Sequence, residues 1–377
     1  MNIKRALASV LQDKWDSGKV LIVTGPRQVG KTTLLTDLCE KEGNCIYVNG
    51  DDPEDRLMLY DAGETKLRNL IGQHTTIFFD EAQRIPEIGL LLKIIHDKIK
   101  NVRVIVSGSS ALELAHVMNE PLTGRKWEYN LFPFTYPELA EYFGYQKNYK
   151  NLAGYLIYGM YPEVVTKPND AEQTLKELAG SYLYKDLLQY QEIRKPEVLD
   201  KLLLALALQL GSEVNYNELS RLIGIDRATV ENYINLLEKT FIVFRLAPLA
   251  RNVRNEINTS RKIYFYDNGI RNAIIGNFKP VELRQDTGAL WENFMITERV
   301  KQLAYRRWHG RKYFWRTYQQ QEIDWIEEID GTFSAFEFKW NPKTGRKSFP
   351  KTFTDNYTVQ KTMIVTPDII DEFLSMP

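Results

Sequence analysis

Eight consecutive residues, Gly25-Pro26-Arg27-Gln28-Val29-Gly30-Lys31-Thr32, follow the pattern G-x-x-x-x-G-K-[ST]. Glycines let a backbone wrap a phosphate without Cβ clashes. A helix beginning near Lys31 aims its N-terminal N–H groups and positive dipole at that phosphate. Lys31 is then placed to reach the β/γ oxygens and Thr32 to give a hydroxyl to Mg²⁺. Gly25, Pro26, Arg27, Gln28, Val29, Gly30, Lys31, Thr32 and Thr33 are the candidate nucleotide contacts. Farther along, Ile77-Phe78-Phe79-Asp80-Glu81 is an apolar strand ending in two acids. Asp80 is expected to hold the Mg²⁺ shell with Thr32, and Glu81 to polarise the attacking water as general base. A third strand ends in Ser107-Gly108-Ser109-Ser110, where Ser107 is a candidate for contact with the γ-phosphate or that water. Arg125 is a candidate arginine finger, acting within its own chain or on a neighbour. No Asn-Lys-x-Asp string for reading guanine is present. ATP with Mg²⁺ is the expected ligand.

A weaker constellation lies near the C-terminus. In Ser334–Trp340 (SAFEFKW), strand alternation puts Glu337 and Lys339 on one face. Glu322 and Asp324 also alternate, and Asp330-Gly331 between the two runs reads as a hairpin turn. Asp324 and Glu337 are thus expected to meet across a hairpin beside Lys339, and Glu292, in the helical run Ala289–Leu303, to project toward them. This order resembles the restriction-endonuclease-like core, Glu…Asp…Glu-x-Lys. The resemblance implies that Asp324 and Glu337 hold Mg²⁺ and that Lys339 orients or deprotonates water. The plain alternative is a solvated polar sheet face. Between these elements, Ala304–Arg316 (AYRRWHGRKYFWR) interleaves basic and aromatic residues. It suits either a nucleic-acid surface or a strand with its aromatics packed inward.

The elements that must position these residues follow from pattern. Val20–Thr24, Cys45–Asn49, Thr76–Phe79 and Val102–Ser107 read as strands, alternating with helical runs such as Thr33–Glu42 and Ile88–Lys100. That alternation predicts a mostly parallel sheet covered by helices. From about residue 151 to 275 the chain reads as mainly helical. Asn217–Ile223, a Gly224-Ile225 turn and a helix capped by Asp226 form a helix-turn-helix pattern. Strands at Phe241–Leu246 and Ile263–Tyr266 follow as a wing. Such a unit reads DNA or packs between domains, with Arg227, Glu231, Asn232 and Glu238 on its outer face. Gly144–Asn151 reads as a polar connector. Three domains are expected, at 1–150, 151–275 and 276–377.

Composition narrows the class. The 377 residues carry 49 Lys+Arg against 49 Asp+Glu, so any nucleic-acid contact must come from a local patch. Cys39 and Cys45 make no disulfide framework, and the histidines, among them His74, His96 and His116, show no metal spacing. The N-terminus lacks a secretory pattern, and the most apolar run, Leu202–Leu210, is too short to cross a bilayer. A cytoplasmic protein without membrane contact is expected.

The strings GPRQVGKTTLL, FFDEAQRIPE, VSGSS, TGRKWEY-NLFPFTYPEL and GMYPEVV together resemble bacterial and archaeal AAA-type ATPases that carry an uncharacterised C-terminal domain. The resemblance implies an additional-strand core, with a strand between those bearing Lys31 and Asp80, and a winged helix in the middle. It also implies that Arg5 belongs to the adenine pocket. The expected fold is therefore an α/β P-loop domain, a helical and winged-helix middle, and a C-terminal restriction-endonuclease-like α/β domain. The expected function is Mg²⁺-dependent ATP hydrolysis at nucleic acid. The alternatives are an ATPase-coupled, metal-dependent DNA nuclease and a non-catalytic, nucleotide-switched DNA-binding module. Oligomerisation follows if Arg125 acts on a neighbour.

Overall fold

The computed structural model describes residues 3–108, 122–182, 196–249, 261–341, 343 and 348–376. Ser109, Ser110 and His116 lie outside these residues. The chain forms two compact units, residues 1–134 with 239–241, and residues 135–238 with 242–377.

In the first unit, five strands form one parallel sheet: β1 (Val20–Thr24), β2 (Cys45–Asn49), β3 (Thr76–Asp80), β4 (Arg103–Gly108) and β5 (Lys126–Asn130). β1 and β3 are buried along their whole length. That is why they read as unbroken apolar runs rather than alternating ones. The strand order is β2-β3-β4-β1-β5. β4 therefore lies between β1 and β3, the place expected for the additional strand. Leu67, Ile88, Leu91, Leu92 and Ile95 from the covering helices close a core over Val20, Ile22, Ile77 and Phe79.

The second unit is built on a seven-stranded mixed sheet. Its strands are β6 (Glu213–Val214), β7 (Val243–Pro248), β8 (Arg261–Phe265), β9 (Arg311–Arg316), β10 (Glu322–Ile329), β11 (Thr332–Phe338) and β12 (Thr358–Val365). The order is β12-β11-β10-β9-β7-β8-β6. β7 pairs antiparallel with β8 and parallel with β9, so one sheet runs through the boundary expected near residue 275. The helices Tyr216–Ile223 and Arg227–Lys239 flank the Gly224 turn, where φ is +78°. Asp226 caps the second helix by accepting from the Thr229 N–H at 2.9 Å. Arg227, Glu231 and Asn232 are exposed as expected, but Glu238 is drawn in by Arg245 of β7 at 2.5 Å.

One local expectation is corrected, and one open alternative is decided. Residues 144–151 do not form a plain connector, because Tyr145–Lys150 is helical. Asn148 there is fully buried, donating to the Tyr136 carbonyl and accepting from the Tyr155 hydroxyl at 2.9 Å. In 304–316 the aromatics Tyr305, Tyr313, Phe314 and Trp315 are buried, so they pack inward rather than offer faces to bases.

The helix Thr287–Tyr305 carries Glu292 and is fixed to β10 by a buried fork. Arg299 donates through Nε to Glu327 Oε1 at 2.6 Å and through Nη2 to Oε2 at 2.8 Å, while Trp325 Nε1 donates to the same carboxylate. Removing one partner of such a pair leaves a buried charge uncompensated. Arg299→Met is therefore expected to destabilise the second unit by about 3–5 kcal/mol. Urea unfolding followed by tryptophan fluorescence measures this, and an unchanged midpoint would refute the assignment.

Candidate functional site

The first cluster forms where the C-terminal ends of β1, β3 and β4 meet. Gly25 leaves β1 with φ +150°, and a Cβ there would sit 2.1 Å from the Leu131 carbonyl oxygen, so only glycine fits. Gln28 and Gly30 also take positive φ, which curls the loop into the start of the helix Lys31–Glu42. Lys31 is buried, and its Nζ donates to the Gly25 and Pro26 carbonyls at 2.9 and 2.8 Å. The ammonium therefore lies inside the loop's curve. Arg5 braces the loop, donating to the Val29 carbonyl at 2.7 Å and the Phe132 carbonyl at 2.6 Å, with Phe134 stacked 4.8 Å away.

Asp80 sits beside this loop at the end of β3, almost wholly buried. Thr32 Oγ1 donates to its Oδ2 at 2.8 Å, the Tyr47 hydroxyl donates to the same oxygen at 2.9 Å, and Ser107 Oγ donates to Oδ1. Thr32, Asp80 and Ser107 are thus brought together, with Ser107 bonded to Asp80 itself. Glu81 follows in the left-handed region with φ +46°, its carboxylate accepting from Gln83 Nε2 at 2.6 Å. Gly50 N–H donates to the Asp80 carbonyl, and a Cβ at Gly50 would lie 2.3 Å from the Glu81 carbonyl oxygen. The strand end is therefore clasped by backbone. The oxygen donors of Thr32 and Asp80 are hard ligands of the kind that Mg²⁺ takes.

Tyr47 was not singled out by motif. Its role depends on β2 pairing with β3 in the register Tyr47↔Phe78, and no local spacing encodes that register. Arg125 does not join this cluster within its own chain. Its carbonyl accepts from the Val20 N–H at the opposite end of β1, and its guanidinium pairs with Asp97 at 2.9 Å. Arg125, with His96, holds the Asp97 carboxyl down to about 2.

The second cluster lies in the C-terminal part of the second unit. The β10–β11 hairpin turns at Asp330 and Gly331, with φ of +50° and +77°, both positive as a tight two-residue turn requires. Asp324 Oδ2 accepts from the Phe338 N–H at 2.8 Å. Lys339 Nζ lies 2.9 Å from Glu337 Oε2 and 3.8 Å from Asp324 Oδ2. Burial, then the nearby Glu292 and Glu337 charges, push the Asp324 carboxyl well above the usual range. Burial likewise raises Glu337, although Lys339 opposes it. Glu292 is turned toward β8, where the Tyr264 hydroxyl donates to it at 2.6 Å and Lys262 lies 3.1 Å away. Among the described residues, no group of three or more His, Cys, Asp or Glu side chains stands in a metal-holding arrangement.

Residues 17–140 match the family model described as an AAA domain. A solved Walker-type ATPase of Pyrococcus abyssi aligns with 73% of this chain and 96% of its own at a TM-score of 0.51, with 17% sequence identity. The first unit has an AAA-like P-loop ATPase fold. Residues 149–281 and 287–371 match two domains of unknown function, DUF8612 and DUF4143. An uncharacterised protein of Mycobacterium tuberculosis is 26% identical over 340 residues, which is 89% of this chain and 74% of that protein. An uncharacterised protein of Haemophilus influenzae is 24% identical over 295 residues, 72% of each chain. No described helix is long and apolar enough to cross a membrane.

The geometry separates two substitutions. Gly25→Ala is expected to weaken nucleotide binding by about tenfold or more, equivalent to about 1.4 kcal/mol of displaced loop. Arg125→Ala should leave it within about twofold, about 0.4 kcal/mol on the same scale. Fluorescent-nucleotide titration of both variants checks the pair, and equal losses would refute the placement.

Proposed function

We propose that the protein is a Mg²⁺-dependent ATPase in which Lys31, Thr32, Asp80, Glu81 and Ser107 carry the reaction. The observation that supports this most is the meeting of Thr32 and Asp80 at 2.8 Å beside the loop that holds Lys31. Bound Mg²⁺ would neutralise charge on the β- and γ-phosphates. Thr32 and Asp80 would hold it, and the loop N–H groups with Lys31 would bind the phosphates. Glu81, on the turn after Asp80, would accept a proton from the attacking water, with Ser107 fixing Asp80 and facing the same region. Arg5 acts through the loop it braces. Arg125, if it serves as a finger, would serve a neighbouring copy, which makes homo-oligomerisation part of this proposal. The compartment proposed is the cytoplasm.

A second activity is favoured by one observation, the Lys339 ammonium set between Glu337 and Asp324 on adjoining strands. In this reading the residues 276–377 are a restriction-endonuclease-like domain that cleaves DNA, with Glu292 supporting the site. One divalent ion would supply Lewis acidity there. Asp324 and Glu337 would hold it, and Lys339 would orient the attacking water. The helices 216–223 and 227–239 with β7 and β8 would be a winged helix that brings the DNA, through Arg227 and Asn232. A nucleotide-switched DNA binder without catalysis is the alternative that slow turnover would favour.

Glu81→Gln is expected to lower ATP turnover by about 10²–10⁴-fold while binding persists, and Lys31→Ala to abolish both. Steady-state phosphate release and nucleotide titration measure these effects. Undiminished turnover in both variants would end the ATPase proposal. DNA nicking under Mg²⁺ or Mn²⁺ that vanishes in Asp324→Ala and Lys339→Ala is the matching expectation for the second site. Clean wild-type protein without nicking would end that proposal alone.

A further inference from the structure

Lys262 is a charged group that neither proposed reaction uses. It lies on β8, within the segment matched over residues 149–281, while the acids facing it belong to the segment matched over 287–371. Its Nζ is 3.1 Å from Glu292 Oε1 and 2.5 Å from Glu322 Oε1, and the Phe314 ring lies 5.5 Å from it. The side chain is only 1% exposed. A buried ammonium persists only where opposite charges and hydrogen bonds face it. Tyr264, two residues on and so on the same strand face, donates to the same Glu292 oxygen. Gly211 takes φ +73° beside the Glu292 carboxylate, which a Cβ there would meet in ordinary contact at 3.4 Å. Lys262 and Tyr264 together hold the Glu292 carboxylate on β8.

We propose that Lys262 is a built-in cation that takes, between Glu292 and Glu322, the place of a second divalent ion. This rests on the metal-dependent reading of the C-terminal site. Two-metal sites for phosphodiester chemistry place paired ions among shared acids. Here one position is filled covalently by the chain, which leaves Asp324 and Glu337 to hold a single ion. The formal charges agree. With all four acids ionised, as a bound divalent ion requires, Glu292, Glu322, Asp324 and Glu337 are faced by Lys262 and Lys339, a deficit that one such ion balances. Arg316 lies 4.0 Å from Glu322 but also pairs with Glu213, so it leaves the balance unchanged. Lys262 is thus a positioning residue that sets metal stoichiometry.

The test is Mn²⁺ titration of the full nucleotide-free chain by calorimetry, comparing wild type with Lys262→Met. The variant is expected to bind one more Mn²⁺ per chain, and to lose that ion when Glu322→Gln is added. Mn²⁺ should also raise the thermal midpoint of the variant more than that of wild type. Equal Mn²⁺ counts would overturn the proposal. Should Lys262→Met fail to fold without metal, recovery on refolding with Mn²⁺ supports the proposal and no recovery overturns it. Asp324→Asn in the wild-type background judges the underlying reading separately. An unchanged count there would remove the metal site at Asp324 and Glu337, while the difference between wild type and Lys262→Met would still decide the role of Lys262.

Discussion

A carboxylate buried at the end of an apolar strand must be satisfied from several directions at once. Asp80 meets this demand with hydroxyls from three elements: Thr32 from the helix after the loop, Tyr47 from β2 and Ser107 from β4. The strand order follows as a requirement. β4 must stand between β1 and β3 for Ser107 to reach Asp80, and β2 must flank β3 for Tyr47 to reach it. The same grip aligns the helix start with the strand end, and so sets the distance between the loop lysine and the acids. Gly25 and Gly50 allow this convergence because backbone carbonyls occupy the space where their side chains would be.

The second unit solves a similar problem with lysines. Its acids cluster where β8, β10 and β11 of one sheet meet the helix Thr287–Tyr305, and the Arg299–Glu327 fork holds that helix on the sheet. Lys339 arrives by strand alternation from Glu337, within the same hairpin. Lys262 arrives from β8, across the sheet, and so joins the cluster only through tertiary pairing. The two lysines differ in kind. One sits on the strand that carries the acids, while the other is imported from a segment matched by a different family model.

Much of this was legible in the residues themselves. The loop motif, the strands β1 to β4 and the Asp330-Gly331 turn could be placed because each is encoded locally, by runs rich in apolar and β-branched residues or by turn residues with positive φ. Tyr47 and Lys262 could not, because their partners depend on strand register and sheet order. Arg125 carried no local sign of which end of the sheet it would occupy. The helix at Tyr145–Lys150 hid behind a polar composition, since its one deeply buried residue is an asparagine satisfied by Tyr136 and Tyr155. The aromatics of β9 fit either a base-stacking face or inward packing by pattern alone, and their burial decides for packing.

The joining of β7 to β9 reaches beyond chemistry. Ala247 and Pro248 pair with Tyr313 and Phe314, and the Leu249 N–H donates to the Phe314 carbonyl at 2.7 Å. A fragment cut near residue 284 would strip β9 from that contact and bare a raw edge strand, the kind of surface through which chains aggregate. Expression strategies that treat the middle and the tail as separable modules therefore work against the architecture, and soluble pieces should keep 135–376 intact.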